Sequence, residues 1–182
     1  MIWRRILTQL RNSKKITVRQ LALDSLLVAT AMIFSYVEAI IPLPIGIPGV
    51  KLGLANLVII SAIYMISPVE VFGILLVRIL LSGFLFGNLA GIVYSFAGGI
   101  LSYICMLIMK RTGWFSIFGT SIAGGVCHNI GQMLVAVIIV ANINLLMILP
   151  VLLISGAIAG AIIGLIGART SKLLKHIDNW RE

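Results

Sequence analysis

The sequence predicts an all-α, multi-pass membrane protein, and three observations carry that prediction. Sixty per cent of the 182 residues are hydrophobic and only 10% are charged, with a mean hydropathy of +1.16; a soluble domain needs roughly 25% charged residues to cover its surface. The charges are clustered: fourteen basic residues oppose five acidic ones, and Arg4, Arg5, Arg11, Lys14, Lys15 and Arg19 all precede the first apolar run. The apolar runs are long enough to cross hydrocarbon, which takes about 20 helical residues. A net charge of +9 raises nucleic acid as a partner, but cations that flank apolar spans fit anionic lipid and retention on the cytoplasmic side instead. The expected partner is the lipid bilayer, with no nucleic acid, and the expected location is the cell membrane.

Six crossings with both termini cytoplasmic account for the pattern. Residues 1–19 form a basic cytoplasmic segment whose Trp3, Ile6, Leu7 and Leu10 suit an interfacial helix. The crossings occupy 20–168, and 169–182 is a basic cytoplasmic tail. The first crossing, about 20–41, carries Asp24 near its inner end and Glu38 near its outer end, with Ala22, Ser25 and Ala29 as a stripe that admits close helix approach. The connection that follows, IPLPIGIPGVKLGLAN over 41–56, holds three prolines and three glycines and so excludes a regular helix; it reads as a stiff, pocket-forming outer loop with Lys51 as its cation.

The second crossing, about 51–66, is short, near 24 Å. Ser67-Pro68 ends it, and Pro68 with Glu70 opens the third, about 68–85. One kinked helix over 52–85 would reach about 50 Å, too long for a single crossing. The fourth covers about 87–109 and stops at Lys110-Arg111. The fifth covers about 118–141. The sixth, about 145–168, sets Gly156, Gly160 and Gly164 four residues apart as a backbone-to-backbone face. With the N-terminus inside, the basic residues of the connections fall on the inner side, apart from Lys51.

An ionised group in hydrocarbon requires compensation. Arg78, about 15 Å along the third crossing, is therefore the leading ligand-binding candidate, with pairing to Glu38 as the alternative. Glu38, Lys51, Asn56 and Asn88 share the outer depth and form a candidate mouth. His128, Asn129 and Gln132 make a second polar patch, with His128 and Gln132 an i,i+4 pair suited to interhelical bonding or cavity lining. Cys105 and Cys127 stand alone in apolar runs and are expected to be bystanders, a disulfide or redox pair being the alternative. No catalytic residue and no metal set is expected. There is no GxxxxGK[ST], GxSxG or HExxH, and five acidic residues make a metal-dependent prenyl transfer hard to build. The chain is expected not to be an enzyme.

At Pro48-Gly-Val-Lys-Leu-Gly-Leu-Ala-Asn56, supported by Phe86-Gly-Asn88 and Gly125-Val-Cys-His-Asn129, the sequence resembles the Gx transporter family, also labelled heptaprenyl diphosphate synthase component I, over about 18–177. That family is similar to the substrate-binding S components of energy-coupling factor transporters. The resemblance implies a six-helix S-component-like bundle that captures a small organic ligand from the outside. It makes 41–56 part of the binding region and the first helix a docking surface for a transmembrane coupling subunit with ATPases. The docking motif, alanine-xxx-alanine, is met here by Ser25xxxAla29 with Ala22 one turn earlier. The resemblance also implies an alternative, a membrane subunit of quinone- or flavin-linked extracellular electron transfer beside a small anchored extracytoplasmic protein. A non-catalytic scaffold is the third reading. A quinone, isoprenoid or flavin fits the first two as ligand.

Overall fold

The computed structural model describes residues 18–40, 54–87 and 89–179, and the side chains among them except those of 19 and 170–179. The described residues form six α-helices: α1 (Val18–Ile40), α2 (Leu54–Ile63), α3 (Pro68–Phe86), α4 (Leu89–Thr112), α5 (Ile117–Val140) and α6 (Leu149–Asn179), with a 3₁₀ turn over Ile143–Ile148 leading into α6. Five stretches are long and apolar enough to span a bilayer: Gln20–Ile40, Pro68–Phe86, Leu89–Thr112, Ile117–Val140 and Ile143–Arg169. The protein is thus a multi-pass membrane protein, as its composition predicts. The expected interfacial helix before residue 18, the loop 41–53 with Lys51, and Asn88 lie outside the described residues.

The expected second crossing is the one that departs most from prediction. Among the described residues helix α2 has ten, about 15 Å, or half a hydrocarbon core. It stops at Ile63 because the amides of Tyr64 and Met65 turn back onto the carbonyls of Ser61 and Ala62. From across the bundle, Lys110 Nζ donates to the Ile63 carbonyl and stands 5.4 Å from the Tyr64 ring centroid. A cation at a helix C-terminus answers both the open carbonyls and the dipole. Short as it is, α2 is the most buried helix: Ala55, Val58 and every residue from Ile59 to Ile63 are buried. The core gathers around it, from Ile59, Ile60 and Ile63 to Val71, Ile74, Leu75 and Ile79 of α3, Tyr103 and Met106 of α4, and Ile163 of α6.

Helix α3 begins where the proline and the acid place it. Ser67 caps it: the Glu70 amide donates to Ser67 Oγ at 3.4 Å and the Ser67 amide to Glu70 Oε2 at 2.9 Å, a reciprocal pair that satisfies two open donors. Tyr103 Oη then donates to the Pro68 carbonyl at 2.5 Å, tying α4 to the start of α3. Ser116 caps α5 through the Gly119 amide. Helix α6 runs on through the expected tail to Asn179, since a helix need not stop where hydrocarbon does.

Successive helices alternate in direction. Lys110, Ile63, Pro68 and Thr120 (bonded to Tyr64 at 3.1 Å) gather at one end, and Asp24 is close enough to Glu70 to feel its charge. Helices α4, α5 and α6 make the tightest group. The glycine face of α6 meets α5 as its spacing predicts: a Cβ on Gly160 would stand 2.6 Å from the Ser121 carbonyl oxygen, and one on Gly164 3.0 Å from Phe118 Cα. Between α4 and α5 the approach is equally close, at Gly98 and Gly131. Helix α1 lies on the outside, against α2 and α3, with only Ala31 of its apolar residues fully buried.

Candidate functional site

Arg78 follows ten residues after Pro68, which sets it midway along α3, one turn before Ser82. The core side of the helix has turned towards it, between buried Leu75 and Ile79, and the side chain is 8% exposed. It does not end among hydrocarbon. A cavity of about 90 Å³ is lined by Ser35, Glu38 and Ala39 of α1, Asn56 of α2, Arg78, Ser82, Gly83 and Phe86 of α3 with Gly87 after it, Gly91 and Ser95 of α4, and His128 of α5. Five helices contribute.

Arg78 Nη2 donates to Asn56 Oδ1 at 3.5 Å, a long bond. The charge of Glu38 acts on the guanidinium from α1 and offsets part of the cost of its burial. Its hydrogen-bonding capacity is not used up: among the described residues Nε has no partner. A guanidinium offers five N–H donors in a fixed fork that fits a carboxylate or phosphate, and a buried donor left unmet costs about 1–3 kcal/mol. The amide of Asn56, the imidazole of His128 and the hydroxyls of Ser35, Ser82 and Ser95 stand around the same space. Ser82 already donates to the Ile79 carbonyl at 3.3 Å.

Four of the eight ligand-binding candidates named from the sequence therefore meet: Glu38, Asn56, Arg78 and His128. Arg78 and Glu38 line the same cavity, the geometry on which both the pocket and the pair readings of Arg78 rest. Lys51 and Asn88 lie outside the described residues. Asn129 and Gln132 take other places. Asn129 is buried and its Nδ2 donates to the Leu152 carbonyl at 2.6 Å, pinning α5 to the first turn of α6. Gln132 lines neither cavity; its Cγ lies against Gly98 at the α4–α5 contact, because α4 crosses α5 between the two members of the i,i+4 pair. Ala22, Ser25 and Ala29 are on the outward face of α1.

A second cavity, about 20 Å³, adjoins the first through Asn56 and His128 and runs inward past Ser102, Ser121 and Asn129 to Ile60, Met106 and Ile163. It has room for about one water. The serines of both cavities were not singled out from the sequence. A serine in a membrane helix can satisfy itself on the preceding turn, so its presence alone says little; the i,i+4 spacing of Ser82 from Arg78 was the available signal.

The fold and the site together define a class: a multi-pass helical membrane protein with a buried guanidinium beside a small polar cavity. The chain belongs to the Heptaprenyl diphosphate synthase component I family, which it matches over residues 27–170. Neither a curated protein nor a solved structure matches it.

The family assignment corrects four expectations. It carries a synthase description, not that of a transporter, so the S-component identity and the capture of a solute for uptake do not stand. The electron-transfer alternative falls with it, and the coupling subunit and extracytoplasmic redox protein lose the resemblance that implied them. The expectation that the chain is not an enzyme, with the synthase label set aside, is also overturned. Five acidic residues do not by themselves set the chain apart from a family described as one component of a synthase.

Proposed function

We propose that this chain is the membrane-embedded component of a prenyl diphosphate synthase and that it holds a prenyl diphosphate with the head group at Arg78. The family's description names a product with a diphosphate head and a long isoprenoid tail, and names this protein as one component. The observation that carries the reading is the Arg78 guanidinium, 8% exposed, with an unmet Nε and a cavity in front of it. Phosphate oxygens are the acceptors a bidentate guanidinium suits best, and the amide and hydroxyls around it supply further donors. Glu38 offsets part of the cation's burial cost when the head group is absent.

Among the described residues no three of His, Cys, Asp and Glu come together, whereas divalent cations are held by clustered oxygen ligands. The role proposed for the described residues is to bind and orient the head group. With α2 counted as a short sixth crossing, the end of the bundle bearing Lys110, Arg111 and Arg169 faces the cytoplasm by the positive-inside tendency. The Arg78 cavity then lies in the other half, where a lipid-tailed ligand arrives through the bilayer.

The test is binding in lipid nanodiscs. Farnesyl diphosphate binds more tightly than farnesol or inorganic diphosphate, because the site requires both parts. Arg78→Ala weakens binding about 10- to 100-fold, the loss of a charge-assisted hydrogen bond of about 1.5–3 kcal/mol. Arg78→Lys, which keeps the charge but not the fork, falls between. A folded wild type that binds no prenyl diphosphate, or an Arg78→Ala variant with unchanged affinity, overturns the proposal.

A further inference from the structure

The product named by the family carries seven isoprene units, and the cavity is too small for them. At about 90 Å³, measured against the 10–15 Å³ that one water needs, it accommodates a group the size of several waters. That suits a diphosphate with the start of its tail.

Nor can the tail continue inward. Behind Arg78 lie Leu75 and Ile79, both 1% exposed, and Ile59 and Ile60, also 1% exposed. The adjoining cavity adds about 20 Å³ and ends where Gly125, Gly156 and Gly160 bring the backbones of α5 and α6 together. Widening it means parting those helices.

The way out is at the rim. Among the cavity-lining residues Ala39, Phe86 and Gly87 are the exposed ones. The Phe86 ring, 39% exposed, packs on Tyr36 of α1 with centroids 5.0 Å apart. Beside the pair, Ile33, Ile40 and Leu85 are all more than half exposed, so the surface there is bilayer-facing hydrocarbon. Among the described residues none lines a path beyond Phe86, and a tail that crosses it passes onto that lipid-facing surface.

Resting on the reading of Arg78 as a prenyl diphosphate site, we propose that this site recognises the head group and the isoprene unit next to it and is blind to chain length. The number of units is then set elsewhere in the synthase. Phe86 is the threshold residue, in contact with the proximal tail and with nothing beyond it.

Competition against labelled farnesyl diphosphate in nanodiscs, with each competitor at matched mole fraction in the bilayer, reads this directly. Farnesyl, geranylgeranyl and heptaprenyl diphosphates compete within about threefold of one another, and Phe86→Trp weakens all three by the same factor. A tenfold step or a cut-off between lengths, with Arg78 still required, overturns length-blindness and leaves the Arg78 site standing. So does a Phe86→Trp effect confined to one length. Binding of none of the three overturns both.

Discussion

Gly160→Ala puts a methyl group where α6 meets the backbone of α5. The new Cβ stands 2.6 Å from the Ser121 carbonyl oxygen, 2.7 Å from Ile122 Cα and 3.1 Å from the Ile122 nitrogen. All three are main-chain atoms, so no rotamer change relieves them; α5 must move away by about 0.8 Å to restore ordinary contact near 3.4 Å. Overpacking of that kind costs about 1–3 kcal/mol, here with the loss of the close main-chain contacts that small residues permit. Gly73→Ala supplies the internal control. A Cβ at Gly73 meets nothing within 4 Å, so the change removes only the entropic cost of a mid-helix glycine and stabilises by about 0.5–1 kcal/mol. Unfolding in mixed micelles of rising SDS fraction, followed by far-UV circular dichroism, compares the two. The variants move in opposite directions. If Gly160→Ala unfolds with or after the wild type, α5 and α6 are not in main-chain contact and the packing described for that half of the bundle is wrong.

Further outcomes follow from the site and its supports. Glu38→Gln removes the like charge facing an anionic head group, so prenyl diphosphate binding tightens while the ligand-free protein loses stability, both read on one nanodisc sample. Lys110→Met takes the cation from the end of α2 and from the Tyr64 ring, and lowers stability by about 1 kcal/mol without changing affinity at Arg78. Cys105 and Cys127 are free, half-buried neighbours on α4 and α5; a membrane-permeant oxidant joins them within one chain, detected as loss of two alkylation sites by mass spectrometry, and failure to join them would displace the register of the two helices.

The parts of the fold that were legible in the sequence are those that bilayer physics forces. Pro68 and Glu70 begin a helix because one lacks an amide and the other answers the dipole, and Ser67 completes the box. Three glycines at fourfold spacing mark a helix contact because little else in hydrocarbon rewards them. Arg78 stood out because a buried charge needs an answer. What could not be read depends on encounters between distant residues. At the end of helix α2, where Tyr64 and Met65 turn back, the Ile63 carbonyl is met by Lys110, 47 residues on, and nothing local announces that partner. His128 and Gln132 both close on Gly98 of α4 but only His128 also lines the cavities, since where α4 crosses α5 is a property of the bundle. Ser35, Ser82 and Ser95 become part of a site only when three helices converge.

The brevity of α2 bears on how the molecule is made. Ten residues reach about half-way across a bilayer, so lipid alone gives this segment no stable depth as it leaves the ribosome. Its resting place is built from α1, already made, and from α3, α6 and a lysine at the far end of α4, all synthesised after it. The most interior piece of the finished protein is thus the one that must wait: nascent chains halted before residue 110 leave α2 accessible to aqueous thiol reagents at an introduced cysteine, and those extended past α6 shield it.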